Sequence, residues 1–272
     1  MKNLKIFLAI LITSILLSGC LKVRTLINVN QDGTGTIEET VLMKSEFVNM
    51  MKEFADQMNT DGSKKDFSLF NKDELAKKSS DYGKGVSFQS GKLIREKNFE
   101  GFTSVYSFKD INQLKLNPDP EGKMDFGFGG DEEKPAPETN SLLTFKFSKD
   151  NPSNLVVKFP KSFMEDDSSG ENSDTEETAP SGNDAKMKEF LADMEMDLSI
   201  NFNGEIKETN ASLVEGSKVT LMHFEFGELL NNEAALKKLG SKKPKSIEEF
   251  KELTKDIKGM KIEFNDEIFI KF

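Results

Sequence analysis

Leu21-Lys22-Val23-Arg24-Thr25-Leu26-Ile27-Asn28-Val29 places Leu21, Val23, Ile27 and Val29 at every second position, and after Asp32-Gly33-Thr34-Gly35 the alternation resumes at Ile37, Val41 and Met43. Two period-two runs joined by a short link containing glycine predict a β-hairpin. The same alternation marks the rest of the chain. Strands are expected at Val86–Glu96 and Gly101–Lys109, the second with Phe102, Tyr106 and Phe108 on one face. A third pair is expected at Leu142–Ser148 and Asn154–Pro160, joined by the turn formers Asp150-Asn151-Pro152-Ser153. Met194, Met196, Leu198, Ile200 and Phe202 give the cleanest strand pattern in the chain, and Gly204-Glu205-Ile206 reads as its bent or paired continuation. Leu213–Phe226 then turns at Glu215-Gly216, and Ile262, Phe264, Ile268 and Ile270 read as a closing strand or hairpin.

Helices break this rhythm. Ser45 is placed to cap a helix whose Phe47, Met51, Phe54 and Met58, spaced four, three and four, share one stripe. Lys72–Ser79, about Leu229–Leu239 ending at Gly240, and a helix opened by the capping-box pattern Ser246-Ile247-Glu248-Glu249 complete the set. The fold class that follows is α+β: an antiparallel sheet built from hairpins, with several packed helices and disordered acidic insertions. Residues 20–164 form a first part with a loop at 117–140 rich in Pro, Gly and acids, and residues 186–272 a second part able to share its sheet. Between them, 165–185 carries eight acids and no base or aromatic residue, a composition that buries too little apolar area to order itself.

The chain has 272 residues, 47 acids against 37 bases and a formal net charge of −10. Nucleic acid is excluded as an expected partner, because neutralising phosphate requires clustered cations. Cys20 is the single cysteine, so no intramolecular disulfide is available to staple the fold. It closes Leu17-Ser18-Gly19-Cys20, directly after Lys2, Lys5 and the apolar run Ile6–Leu17. That run is shorter than the roughly 20 residues a membrane span needs, and the whole stretch resembles the leader and lipobox of bacterial lipoprotein precursors. The resemblance implies that residues 1–19 are a cleaved signal peptide. It also implies a lipid on the Cys20 sulfur and an acylated amine, which hold the rest to the extracytoplasmic side of a bacterial membrane. One acyl chain binds reversibly and two or more hold stably, at about 0.8 kcal/mol per buried methylene.

Two stretches resemble a narrower family. Gly19-Cys20-Leu21-Lys22-Val23 with Asn28-Val29-Asn30-Gln31-Asp32-Gly33-Thr34-Gly35, and Phe202-Asn203-Gly204-Glu205-Ile206-Lys207-Glu208-Thr209-Asn210 with Gly216-Ser217-Lys218-Val219-Thr220, are similar to the opening hairpin and closing strands of LppM-type envelope lipoproteins. That resemblance implies an α+β domain outside the membrane with a role in binding envelope lipids. The helices expected after Phe226 depart from the family pattern.

Apparent motifs for chemistry resolve into simpler readings. Asn28, Asn30, Asp32, Gly33 and Glu39 have the spacing of a calcium loop except for Asn at its first position, but such a loop needs helical flanks and these flanks alternate as strands. Gly127-Phe128-Gly129-Gly130 does not join a strand to a helix, so it is no phosphate loop. His223 is the one imidazole and reads as structural. No catalytic residue, cofactor or metal site is therefore expected. The 23 Phe and 12 Met, with no Trp, mostly fill a core, and their surplus makes Phe47, Met51, Phe54 and Met58 candidate apolar ligand contacts. Lys237, Lys238, Lys242, Lys243 and Lys245 are candidate contacts to a membrane surface. The leading expectation is a lipid-anchored, non-enzymatic envelope protein that binds lipid or another apolar ligand. The alternative is an assembly or scaffold lipoprotein that docks a protein partner.

Overall fold

In the computed structural model, residues 21–58, 68–117, 142–160, 192–232, 234 and 247–272 are described. The loop read at 117–140, apart from Asn117, and the acidic stretch 165–185 lie outside them.

Strand β1 (Leu21–Val29) alternates strictly between buried and half-buried residues, as its sequence requires. It pairs antiparallel with β2 (Gly35–Lys44), Leu21 opposite Met43 and Val29 opposite Gly35. The turn between them is tight because Gly33 takes φ +82°, a conformation that an L side chain strains to adopt. Asp32 accepts hydrogen bonds from the Thr34 amide and hydroxyl at 3.0 and 2.7 Å, which closes the turn and holds its carboxyl below the usual range. Glu39, the last position of the calcium-loop pattern, lies far down β2 and is fully buried, so the strand reading of this stretch is the physical one.

The strand on the other side of β1 is β8 (Glu195–Phe202), and it runs parallel, with Lys22 opposite Glu195 and Val29 opposite Phe202. The large sheet is therefore mixed, which corrects the antiparallel expectation. Its order is β10 (Val214–Glu215), β11 (Lys218–Glu225), β8, β1, β2, β4 (Phe99–Phe108) and β3 (Val86–Glu96), with β12 (Met260–Ile262) also paired to β11. A five-stranded antiparallel sheet of β5 (Lys115–Leu116), β6 (Leu143–Ser148), β7 (Asn154–Lys158), β13 (Glu267–Lys271) and β9 (Glu208–Thr209) covers part of its inner face. Strands dominate and helices are few. Each sheet takes strands from both parts of the chain, for β8 and β11 join the first sheet while β13 and β9 join the second.

Other boundaries move for local reasons. Gly204-Glu205-Ile206 is not a strand: the chain leaves the large sheet after Phe202, Ile206 tucks against the core, and pairing resumes at Glu208 beside β13. β12 and β13 belong to different sheets and form no hairpin, because buried Glu263 turns the chain between them. Its carboxylate accepts from Ser212 N and Oγ and from Asn265 N and Nδ2, at 2.6 to 3.1 Å. β4 starts at Phe99, earlier than its alternation suggests.

The inner face of the large sheet carries two apolar clusters. The larger one fills the space between the sheets, with Ile27, Ile37, Ile200, Leu155, Ile270 and Phe202 all nearly inaccessible. The smaller one, Leu21, Val23, Val41 and Met43, is covered by α1 (Ser45–Met58) through Val48. Val48 lies beside the stripe read from the sequence and is its most buried neighbour. α2 (Lys72–Lys78) is capped by the Asn71 carboxamide, which accepts from Asp73 N and Glu74 N, and it carries acids in its first turn and Lys77 and Lys78 in its last. α3 (Phe226–Leu230) begins three residues before the expected helix and is followed by Asn231 as its cap, while most of the expected helix beyond it, towards Leu239, lies outside the described residues. α4 (Ile247–Thr254) follows the capping-box signal.

Because both sheets need strands from beyond residue 195, a fragment of residues 21–160 loses β8 and β13 together. We expect it to lack cooperative unfolding and to give a collapsed amide NMR spectrum, whereas the full chain gives dispersed resonances. A dispersed spectrum from the fragment would contradict the interleaving.

Candidate functional site

Besides the Glu263 turn, two groups of polar side chains stand out among the described residues. One is internal: Glu39 sits fully buried between the two apolar clusters, and Lys78 at the end of α2 reaches it with Nζ 2.9 Å from Oε2. Thr25 and Ser104 flank Glu39 in the cross-strand register, on β1 and β4, and both are buried. The rings of Tyr82 and Tyr106 pack at 4.8 Å beside this group. Burial first, then the Glu39 charge, holds the Tyr82 hydroxyl well above its ordinary range, and burial pushes Tyr106 up to about 12. A buried pair of this kind stabilises little in net terms, but losing one partner strands a charge inside the fold. The arrangement locks α2 to the sheet.

The second place is the outer face of the large sheet, the face left uncovered by the second sheet. A groove of about 540 Å³ runs across its middle, lined among others by Arg24, Glu38, Thr40, Lys92, Asp197 and Lys218. Its side chains come from β1, β2, β3, β4, β8 and β11, because period-two alternation sends every second residue of each strand to this side. At its centre Arg24 forks onto Glu195, Nε to Oε1 at 2.8 Å and Nη2 to Oε2 at 3.1 Å, with Glu96 at 3.5 Å. The guanidinium hydrogen bonds hold the Glu195 carboxyl below its usual range, and the carboxylate in turn raises Arg24. Asp197 receives Ser199 Oγ at 2.7 Å and faces His223 Nδ1 at 3.2 Å and Lys218 Nζ at 3.9 Å. Towards the β1–β2 turn the charges give way to hydrogen-bonded amides and hydroxyls, Ser217 to Asn201 to Asn28 to Thr36.

The sequence brought no acid to His223, yet the strand pairing β8–β11 does, since His223 lies opposite Asp197 in the register. Serine and imidazole both bond to the same carboxylate, and the other imidazole nitrogen faces Glu225 at 3.2 Å. A relay from imidazole to hydroxyl needs the two in contact, and here Asp197 stands between them. Among the described residues no group of three or more His, Cys, Asp or Glu is placed to hold a metal ion.

Of the residues picked from the sequence as apolar contacts, Phe47 is half-buried against the smaller cluster and Met51 is buried. Phe54 and Met58 belong to α1, but their side chains lie outside the described residues, as do Cys20 and Lys237, Lys238, Lys242, Lys243 and Lys245. The groove residues went unremarked because each is an ordinary solvent-side residue of its own strand. Only the pairing of six strands makes them neighbours.

No family model matches the chain, and no curated protein matches it. Among solved structures it is similar to the folded domain of the Mycobacterium tuberculosis LppM protein, determined by NMR, at 11% identity, over 77% of this chain and 85% of that one, with a TM-score of 0.31. This is a distant neighbour, and the fold described above rests on the pairings of this chain alone.

The depressed Glu195 carboxyl yields a pH signature. A group whose folded pKa is lowered contributes stability above its unfolded pKa and loses it as pH falls through the folded one. We therefore expect the stability gap between the native chain and Glu195→Gln, measured by denaturant unfolding, to shrink as pH drops from about 6 to about 3, through the carboxylate range. A gap that is flat over that range would contradict the Arg24–Glu195 geometry.

Proposed function

We propose that this chain is a lipid-anchored, non-enzymatic protein of the bacterial envelope that docks a polar partner, most simply another protein, through the groove on the open face of its large sheet. The lipobox-like Leu17-Ser18-Gly19-Cys20 supports the anchor. Among the described residues no helix is long and apolar enough to cross a membrane.

One observation carries the choice of partner. The apolar side chains of the inner face pack against one another and against the second sheet or α1, while the groove on the outer face is lined by charged and hydroxyl side chains with Leu26 and Ile94 among them. An apolar ligand gains affinity by leaving water for a greasy cavity, and in this groove seven charged side chains surround Leu26 and Ile94. A protein surface with its own mixed charges matches such a groove by complementarity. Of the candidate contacts, Phe47 packs against the smaller cluster of the sheet and Met51 is buried.

The test is photo-crosslinking in cells, with the reactive side chain placed at Lys92 or Thr40 in the groove and, as a control, at Lys149 beyond β6. We expect one dominant protein adduct from the groove positions and none from the control. Native mass spectrometry with extracted envelope lipids decides against the other reading: we expect no retained lipid. A stoichiometric lipid adduct together with silent groove positions would favour an apolar-ligand module instead.

A further inference from the structure

We infer that the body stands on the membrane with one particular end of its large sheet against the bilayer, the end that carries Leu21, and that the half-exposed apolar residues of α1 and α3 there touch lipid. The inference rests on the lipid-anchor reading of Cys20 and adds to it an orientation and a contact surface.

The argument begins with chain length. Consecutive Cα atoms are about 3.8 Å apart, so a lipid on Cys20 holds Leu21 at the bilayer surface. Leu21 is already the first residue of β1, with no linker to let the body swing away. The register then decides what lies beside it. Leu21 is opposite Met43, where β2 runs directly into α1 at Ser45. On the other flank Lys22 is opposite Glu195, and Glu195 opposite Glu225, where β11 runs directly into α3 at Phe226. Both helices therefore start from the anchored end. The second sheet sits at the other end, where Ile111 N bonds to Gly33 O, Ser153 Oγ to Gln31 O, and the tilted rings of Phe272 and Phe202 pack at 4.5 Å.

The anchored end carries apolar side chains that are exposed or half-exposed among its acids. Met50 of α1 is 42% exposed. In α3, Phe226, Leu229 and Leu230 are only half-buried, although a five-residue helix has no other apolar face, and they belong to neither core cluster. α3 is pressed flat onto the sheet end by Gly227, where a Cβ would come within 2.3 Å of the Ala192 carbonyl oxygen, and by Phe226 N bonding to Met194 O at 3.0 Å. Charges nearby are largely spent on each other, Lys44 on Asp193 at 2.6 Å and Lys52 on Glu100 at 3.6 Å. Glu46 and Glu228 are exposed at this end, and Lys258 is exposed beside Glu228. Contact comes from the tether, which replaces the search in three dimensions by a high local concentration. Short apolar segments held at that surface lie in the headgroup boundary.

The geometry also sets the height of the groove. Arg24 is three residues along β1 from Leu21, about 10 Å at the rise of a strand, and Val29 is about 26 Å away. The groove faces sideways, within reach of a partner held in or on the same membrane.

The test uses the full lipidated chain in vesicles of phosphatidylethanolamine and phosphatidylglycerol. With the sulfur of Cys20 occupied, a single new cysteine can carry a nitrobenzoxadiazole probe. Met50→Cys and Glu228→Cys report the anchored end, and Glu215→Cys and Lys149→Cys the distal end; all four positions are exposed, so the variants keep the core intact. We expect blue-shifted emission, and quenching by nitroxide-bearing lipid, at Met50 and Glu228 only. Four unquenched probes on a chain whose intact mass shows acylated Cys20 would overturn the orientation and leave the anchor standing, as would quenching at Glu215 or Lys149. A chain with no acyl mass would overturn both.

Discussion

β1 is held from both sides along its whole length, antiparallel by β2 and parallel by β8, and everything else in the molecule takes its place from that double pairing. A parallel neighbour needs a crossover connection. Here the crossover runs through everything from the β1–β2 turn to residue 194, including β3 to β7. The two parts of the chain are therefore woven through one another, and neither sheet exists without both. The same pairing brings Asp197 beside Arg24 on one side and His223 on the other, and so builds the groove.

Across the inner face the sheet works as two floors. One is covered by a second sheet and the other by a helix, and the seam between them is polar, with Glu39 bound by Lys78 and flanked by Thr25 and Ser104. Apolar residues along the seam would have merged the two clusters and left α2 without a fixed seat. A buried carboxylate bound by Lys78 specifies where α2 docks, at little net gain in stability.

Much of this was legible in the sequence. Strands with clean alternation, Leu21–Val29, Asn154–Pro160 and Met194–Phe202 among them, announced themselves because their apolar side chains fall at every second position. Partner choice was not legible, since the alternation of Met194–Phe202 is the same whether it pairs parallel or antiparallel. Ile262 and Ile268 read as one strand or hairpin because nothing local reveals that Glu263 gathers four donors and sends β13 to the other sheet. Val48 was overlooked because the wider spacing of Phe47, Met51, Phe54 and Met58 already made a complete stripe. The groove was invisible for a simpler reason: Arg24, Lys92 and Lys218 are unremarkable on their own strands, and become a site only through a register that no short stretch encodes.

If the strand that emerges from Cys20 is the centre of the sheet, its amides are shielded on both sides and open only when the whole sheet does. Native-state hydrogen exchange along Lys22–Val29 tests this directly. The account predicts that these amides exchange at the slowest rates in the protein, as slow as those of Leu198–Ile200 in β8 and slower than those of the exposed edge strand β3. Rapid exchange in β1, or protection of only those amides that face β2, would show that β8 is not its neighbour and would dismantle the groove along with the sheet.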